Sequence, residues 1–348
     1  MRTIAVAKRL IRQIGGDKRS IALLFLAPIF VMYLLNVILT SGAVKYKIDL
    51  ISAPESFIKE IKKEADISEV QNENTAIQNL KSNKSDAYIV FNSGTSVINV
   101  EGSDPTKTGA IINKINKVNL QLYKNNLPQT KKNVFKNPEI KLLYGTKDMS
   151  VFDSIAPLLM GFFIFFFVFL LSGISFLRER ISGTLERILA TPIKRSEIVF
   201  GYFIGFGIFA GLQTIIIQTF MVYGMHITMK GSFLAILVIN LLLAAGSLTL
   251  GTLLSAFARN EFQLFQFIPV IIVPQMLFSG VFDLSAAPIW IKVLSKIFPM
   301  TYGADALKNI MIRGKSISDI IFDVLILAGY ALLFMVMNIL VLKKYRKS

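Results

Sequence analysis

Hydrophobic and polar positions divide this chain into long apolar runs separated by short polar breaks, with one long polar stretch near the start. Ser154 to Leu177 and Ile198 to Met229 contain no Asp, Glu, Lys or Arg. Each outlasts the roughly 20 residues a helix needs to cross a bilayer. Ile21 to Thr40, Gly231 to Ala258, Phe262 to Phe282 and Ile317 to Leu342 are further runs of spanning length. The pattern predicts an α-helical polytopic membrane protein with six transmembrane helices. Leu284 to Phe298, interrupted by Pro288, Lys292 and Lys296, is too short to be a seventh. Its lone Trp290 beside lysine suits the headgroup level.

Residues 1–20 are basic and helical in pattern. Ile4, Val6, Ala7, Leu10, Ile11 and Ile14 fill one arc of a helical wheel; Arg2, Lys8, Arg9 and Arg12 fill the opposite one. That pattern predicts a cytoplasmic interface helix lying on the membrane, with Gly15, Gly16 and Asp17 at the bend into the first span. A cleaved signal peptide is the competing reading. The length of the run and Asn36-Val37-Ile38, a poor small-residue cleavage site, favour a retained span.

Between the first and second spans the character changes. Residues 41–150 are rich in Lys, Asn, Ser, Asp and Glu. Tyr46–Ile51, Asp86–Phe91 and Ser96–Glu101 alternate like strands, while Ser56–Ala65 and Glu73–Leu80 read as helices. Ser103 or Asp104 caps a further helix with Pro105 in its first turn and Ile111, Ile115, Val118 and Leu122 on one face. The expectation is an inserted α/β domain with its own core, followed by a linker or lid over Tyr123–Lys147. The rest, 151–348, is a five-helix transmembrane region.

Composition supports a membrane class: 53% of the 348 residues are hydrophobic and 17% charged, against about one quarter charged in soluble domains. A net charge of +16 raises the question of nucleic acid. The Lys and Arg residues cluster at span ends, however, which points to positive-inside bias and anionic lipid, with no nucleic-acid partner. In the short segments they divide sixteen against six between the two sides. Both termini and the loop after the second span are therefore expected in the cytoplasm of a multi-pass cell-membrane protein, and residues 41–150 outside.

The absence of cysteine excludes disulfides and thiolate chemistry. A single histidine, His226, leaves no His-based metal cluster. Gly314-Lys315-Ser316 has Asn309 where a P-loop needs its first glycine, so the chain is not its own P-loop ATPase. Asp153, Asp283, Asp319 and Asp323 lie at expected span ends, where solvated carboxylates or helix starts are the plain reading. Gln213, Gln218, Asn240, Gln266 and Gln275 are the polar contacts expected inside the spans, as glue between helices. No chain of buried acids and lysines suggests an ion-driven carrier. A transporter without an ion relay or a nucleotide site would need an external motor.

The break after the second span is unusually ordered: Arg178-Glu179-Arg180-Ile181-Ser182-Gly183-Thr184-Leu185-Glu186-Arg187-Ile188-Leu189-Ala190-Thr191-Pro192. Gly183 interrupts the outgoing helix, Thr184 can cap a new one and Pro192 can end it. Leu185, Ile188 and Leu189 share a face, with Glu186 and Arg187 beside it. This is a short helix built to dock another protein, or a charged connector that only sets topology.

The same residues closely resemble the R-E-R-x-x-G-T-L-E-R-L-L-x-T-P signature of ABC-2 type transporter permeases. Phe152–Pro157, Ser255–Gln263, Phe278–Val281 and Phe298–Tyr302 resemble further stretches of that family, in order along the chain. Glu101-Gly102-Ser103-Asp104-Pro105 resembles its D-G-S-N-P-like motif, with Glu for Asp and Asp for Asn. The resemblance implies a permease subunit of a drug, antibiotic or lipid exporter with a large extracellular domain. ATP and Mg would be bound by a separate P-loop ABC ATPase, and this chain would hold no cofactor. It implies a coupling helix at 184–190, seated in the ATPase through Leu185, Ile188 and Leu189 and oriented by Glu179, Glu186 and Arg187. It also implies pairing with a second permease subunit, as a homodimer or heterodimer. A Na⁺-extruding permease of the same family, or a membrane-anchored sensor or scaffold, are the alternatives.

Overall fold

The computed structural model describes residues 2–40, 46–82, 84–92, 95–100, 105–126, 150–281 and 287–345. The chain separates into two compact units, one of residues 1–41 and 142–348, the other of residues 42–141. The expected cap at Ser103 or Asp104, most of the D-G-S-N-P-like motif, the 127–147 part of the linker and Asp283 lie outside the described residues.

In the smaller unit β1 (Lys47–Ile51), α3 (Glu55–Ile61), β2 (Asp66–Glu69), α4 (Glu73–Lys81), β3 (Ala87–Asn92), β4 (Thr95–Val100) and α5 (Pro105–Asn126) follow two helices, α1 (Arg2–Gly16) and α2 (Lys18–Thr40). The strands form one sheet in the order β2-β1-β3-β4, parallel except for the β3–β4 hairpin. Both faces are covered. Ile48, Leu50 and Ile89 point to Phe57, Ile61, Ile111 and Ile115, and Ile51 and Tyr88 pack with Ala76 on the other face. Alternation along β1 made that split legible. Strand β2 was not expected, because Asp66-Ile67-Ser68-Glu69 is an edge strand too short and polar to show alternation.

The larger unit adds α6 (Val151–Ile181), α7 (Thr184–Leu189) and α8 (Arg195–Thr219), the last running into a π-helical turn at Phe220–Gly224. Then come α9 (Phe233–Ser255), α10 (Glu261–Phe265), α11 (Val273–Met276), α12 (Ile289–Ser295), α13 (Pro299–Met311) and α14 (Ile321–Tyr345). Helix α6 starts on a capping box: Ser150 Oγ accepts from the Asp153 amide at 3.0 Å, and Asp153 Oδ2 accepts from the Ser150 amide at 3.0 Å. Asp153 is thus a cap and not only a solvated end.

Among the described residues, five helical stretches are long and apolar enough to cross a membrane: Phe152–Ile181, Arg195–Gly224, Phe233–Ser255, Glu261–Gly280 and Ser318–Lys343. The first expected span, Ile21–Thr40, falls in α2, whose apolar part, Leu24–Leu39, is shorter. The third span ends at Gly224 and not near Met229; His226 follows in a left-handed conformation at φ 53°. The fifth is broken into α10, α11 and two π-helical turns, because Pro269 and Pro274 withdraw backbone donors from the regular ladder. Helix α9 is the hub of the unit, buried along most of its length and packed on α6, α8, α13 and α14. Helix α13 was not foreseen. Its Met300, Ala304, Leu307 and Met311 form a helical stripe sunk in the core, which Lys308 and Arg313 disguised as an outer loop.

Candidate coupling site

Three consecutive charges leave the end of α6 in three directions, as successive residues on a helix must. Arg178 donates from Nε to Glu261 Oε1 at 2.7 Å, and its Nη1 lies 3.8 Å from Asp17 Oδ2. It ties α6 to the start of α10 and to the corner between α1 and α2. Glu179 is 2% exposed. Its Oε2 accepts from Arg9 Nη2 at 2.5 Å and from the Tyr202 hydroxyl at 3.0 Å, which joins α6 to α1 and α8. Arg180 donates to the carbonyls of Ala256 and Ala258, just past the C-terminus of α9. A guanidinium there satisfies carbonyls that have no partner within the helix and complements its dipole.

The short helix α7 follows directly. Gly183 occupies its N-cap at φ 71°, a left-handed conformation that costs glycine almost nothing. Thr184, expected as the cap, is instead the first helical residue. The helix closes at Leu189, before Pro192, because a residue ahead of proline is pushed out of the α region. Thr191 Oγ1 donates to the Ile188 carbonyl at 2.6 Å, and the Pro192 carbonyl accepts from Arg2 of α1.

Which face of α7 looks outward departs from the expectation. Leu185 is 1% and Leu189 7% exposed, both within the core of the larger unit. They hold α7 onto its own chain and are not free to anchor a partner. Glu179 is likewise buried in its ion pair and cannot orient a docked protein directly. The exposed residues are Ile181, Ser182, Glu186, Arg187, Ala190, Thr191 and Pro192.

Helix α1 is not simply a surface float. Its apolar face, Val6, Ala7, Leu10 and Ile14, packs on α8. Gly201 and Gly205 make room: a Cβ on Gly201 would lie 2.7 Å from Val6 Cβ, and one on Gly205 3.0 Å from Leu10 Cβ. Lys8 and Arg12 remain exposed, while Arg9 turns inward to Glu179. The pattern of Ile and Leu along α1 was legible, but whether it met lipid or protein was not.

The expected polar contacts divide. Asn240 Nδ2 donates to Gln218 Oε1 at 3.1 Å, and Gln218 Nε2 to the Phe233 carbonyl at 2.7 Å, which links α8 to α9. Gln275 Oε1 accepts from the Met300 amide at 3.4 Å. Gln213 is fully buried, yet neither end of its amide finds a hydrogen-bond partner among the described residues. Gln266 is exposed and joins no helix pair among the described residues. Asn338, which sequence reasoning passed over, donates to the Thr249 carbonyl at 2.8 Å and pins α14 to α9. Asp17, Tyr202 and Glu261 were also missed, although Glu261 follows an Asn260 cap within one of the stretches already singled out. No group of three or more His, Cys, Asp or Glu residues able to hold a metal occurs among the described residues.

Comparison with known proteins is decisive here, since the family profile described as "ABC-2 family transporter protein" matches residues 18–340. The chain belongs to the ABC-2 transporter family. Among curated relatives, "ABC transporter G family member 20" of Dictyostelium discoideum is 27% identical over 173 residues, 49% of this chain and 24% of that protein. "Probable multidrug ABC transporter permease YbhS" of Escherichia coli (strain K12) is 26% identical over 167 residues, 47% of this chain and 44% of that protein. "Probable multidrug ABC transporter permease YbhR" of the same strain is 28% identical over 171 residues, 49% of this chain and 46% of that protein. The aligned part thus spans less than half the length of each relative. The Arg178–Pro192 hub is where this ABC-2 chain gathers its helices.

Proposed function

We propose that this chain is the membrane-spanning permease subunit of an ATP-binding cassette exporter that moves a hydrophobic or amphipathic substrate outward. The observation that carries the reading is the outward face of α7, held rigidly by the Arg178, Glu179 and Arg180 contacts to four other helices. A force applied at Glu186 and Arg187 has direct mechanical routes into α1, α8, α9 and α10. A separate P-loop ATPase, carrying ATP and Mg, docks on that face, and the exposed Lys8 and Arg12 of α1 extend its basic rim. A second permease subunit completes the transporter. α2 serves as the first of six spans: 23 helical residues at 1.5 Å per residue reach about 35 Å. Both termini are cytoplasmic and residues 41–150 extracellular. The relatives' printed names, with "multidrug" in two of them, support a drug-like or amphipathic cargo.

The test is co-purification with the partner ATPase and substrate-stimulated hydrolysis in liposomes. Arg187→Glu reverses an exposed charge at the docking face and is expected to weaken association roughly tenfold or more, with the fold unchanged. Association and stimulated hydrolysis equal to wild type would reduce α7 to a solvated connector.

A further inference from the structure

A cleft of about 270 Å³ opens between the corner joining α1 to α2 and the last turns of α6. Its walls are apolar: Leu24 on one side, and Phe167, Leu170, Leu171 and Ile174 along α6 on the other. Its mouth is polar, with Gln13, Asp17, Ser175 and Arg178. We propose that this cleft binds one single-chain anionic amphiphile drawn from the inner leaflet, its chain along α6 and its headgroup at Arg178.

Three observations on the cleft converge. From Phe167 to Arg178 the helix rises about 16 Å, close to half of a hydrocarbon core of roughly 30 Å. The apolar wall is therefore one leaflet deep, with the charged mouth at headgroup level. At about 30 Å³ per water-sized group the slot takes about nine methylenes, a stretch of a single chain. The corner carries Arg12, Lys18 and Arg178 against Asp17 and Glu261. The side chains of Arg178, Asp17 and Glu261 are 54%, 40% and 42% exposed, so water screens all three alike, and three cations against two anions leave a surplus of one positive charge at the mouth. A chain with an anionic head matches depth, width and charge together. Glu261 and Asp17 hold Arg178 from two sides, which keeps its guanidinium at the rim of the slot.

The inference depends on the exporter reading only for placing the Arg178 end of α6 at the inner leaflet. It is tested without an ATPase, so its failure and a failure of coupling are separate results. The full-length chain, reconstituted in nanodiscs, is labelled with a lysophosphatidylglycerol bearing a mid-chain diazirine, and the labelled peptide is identified by mass spectrometry. Saturable labelling within residues 167–178 is expected, competed by unlabelled lysophosphatidylglycerol and not by monoacylglycerol of the same chain length. Ile174→Trp should fill the slot and abolish it. Gln13 is exposed, so Gln13→Glu keeps the fold while adding a like charge at the mouth; apparent affinity should fall roughly five- to tenfold. Labelling that is absent, that does not saturate, or that neither variant changes overturns the proposal. Equal competition by the neutral amphiphile, or by a cationic one, overturns the headgroup assignment.

Discussion

Glu179 carries its charge in a place where water cannot reach it, and the Arg9 guanidinium and Tyr202 hydroxyl take the place of that water. Breaking such a pair from one side costs more than removing it altogether, because the remaining charge stays buried without a partner. Arg9→Met should therefore destabilise the larger unit by on the order of 2–4 kcal/mol, and Arg9→Met combined with Glu179→Leu by less than Arg9→Met alone. Thermal unfolding in detergent of the wild type, both single variants and the double reads the coupling. Additive losses would mean that the contact contributes nothing. Leu185 makes a second contrast at this scale. At 1% exposure it belongs to the core, so Leu185→Asp should lower the melting temperature of the isolated permease itself, whereas Glu186→Ala should not. Both residues stand in the same signature and on the same short helix. Their spacing told that they lie on different faces, but nothing local told which face the rest of the chain would cover.

Helices decide the next level. α1 and α8 approach closely only because Gly201 and Gly205 lack side chains where Val6 and Leu10 sit. Gly201→Leu should lift α1 from its seat, and trypsin should then cut at Lys8 and Arg12 faster, at least severalfold, in detergent-solubilised protein. Unchanged cleavage would show that α1 is held by its Arg2 and Arg9 contacts alone. The i, i+3, i+4 pattern in residues 2–16 marked the helix without ambiguity, and Gly201-x-x-x-Gly205 was present in the sequence as a packing signal. Joining the two needed the fold, since a small-residue pair states that something approaches and not what. The same limit hid α13. An apolar stripe with lysine and arginine near one end reads equally as a buried helix or an outer segment, and only the surrounding α6, α9 and α14 choose between them.

For the whole molecule, the two units make separate expectations. Among the described residues, the α/β unit has a sheet covered on both faces and three helices of its own. Expressed as residues 42–147 it should unfold cooperatively and give mixed α/β circular dichroism; a featureless melt would remove its standing as a domain. Val97 is 51% exposed, so Val97→Ala should leave that melt almost unmoved. Topology is testable in a chain without cysteine. Ser56→Cys and Ser182→Cys both place a thiol on an exposed position. An impermeant reagent on intact cells should label position 56 and not 182, and the reverse pattern would invert the orientation proposed above.

What the sequence determined by itself is what depends on composition and period. Runs without charge as long as a bilayer is thick can only be helices in lipid, since backbone groups there must pair within their own segment. Alternation with period two in residues 46–51 and 86–91, and the Arg178–Pro192 signature, were likewise complete in one dimension. Tertiary structure decided what depends on partners far apart in the chain. It turned Leu185 and Leu189 inward, drew Glu179 to Arg9, seated α1 on Gly201 and Gly205, and sank α13 into the core. The physical reason is common to all four. A side chain's neighbours along the helix set its face, but burial energy belongs to whichever surface comes to meet that face. Arg9 and Glu179 lie 170 positions apart, and no local pattern joins them.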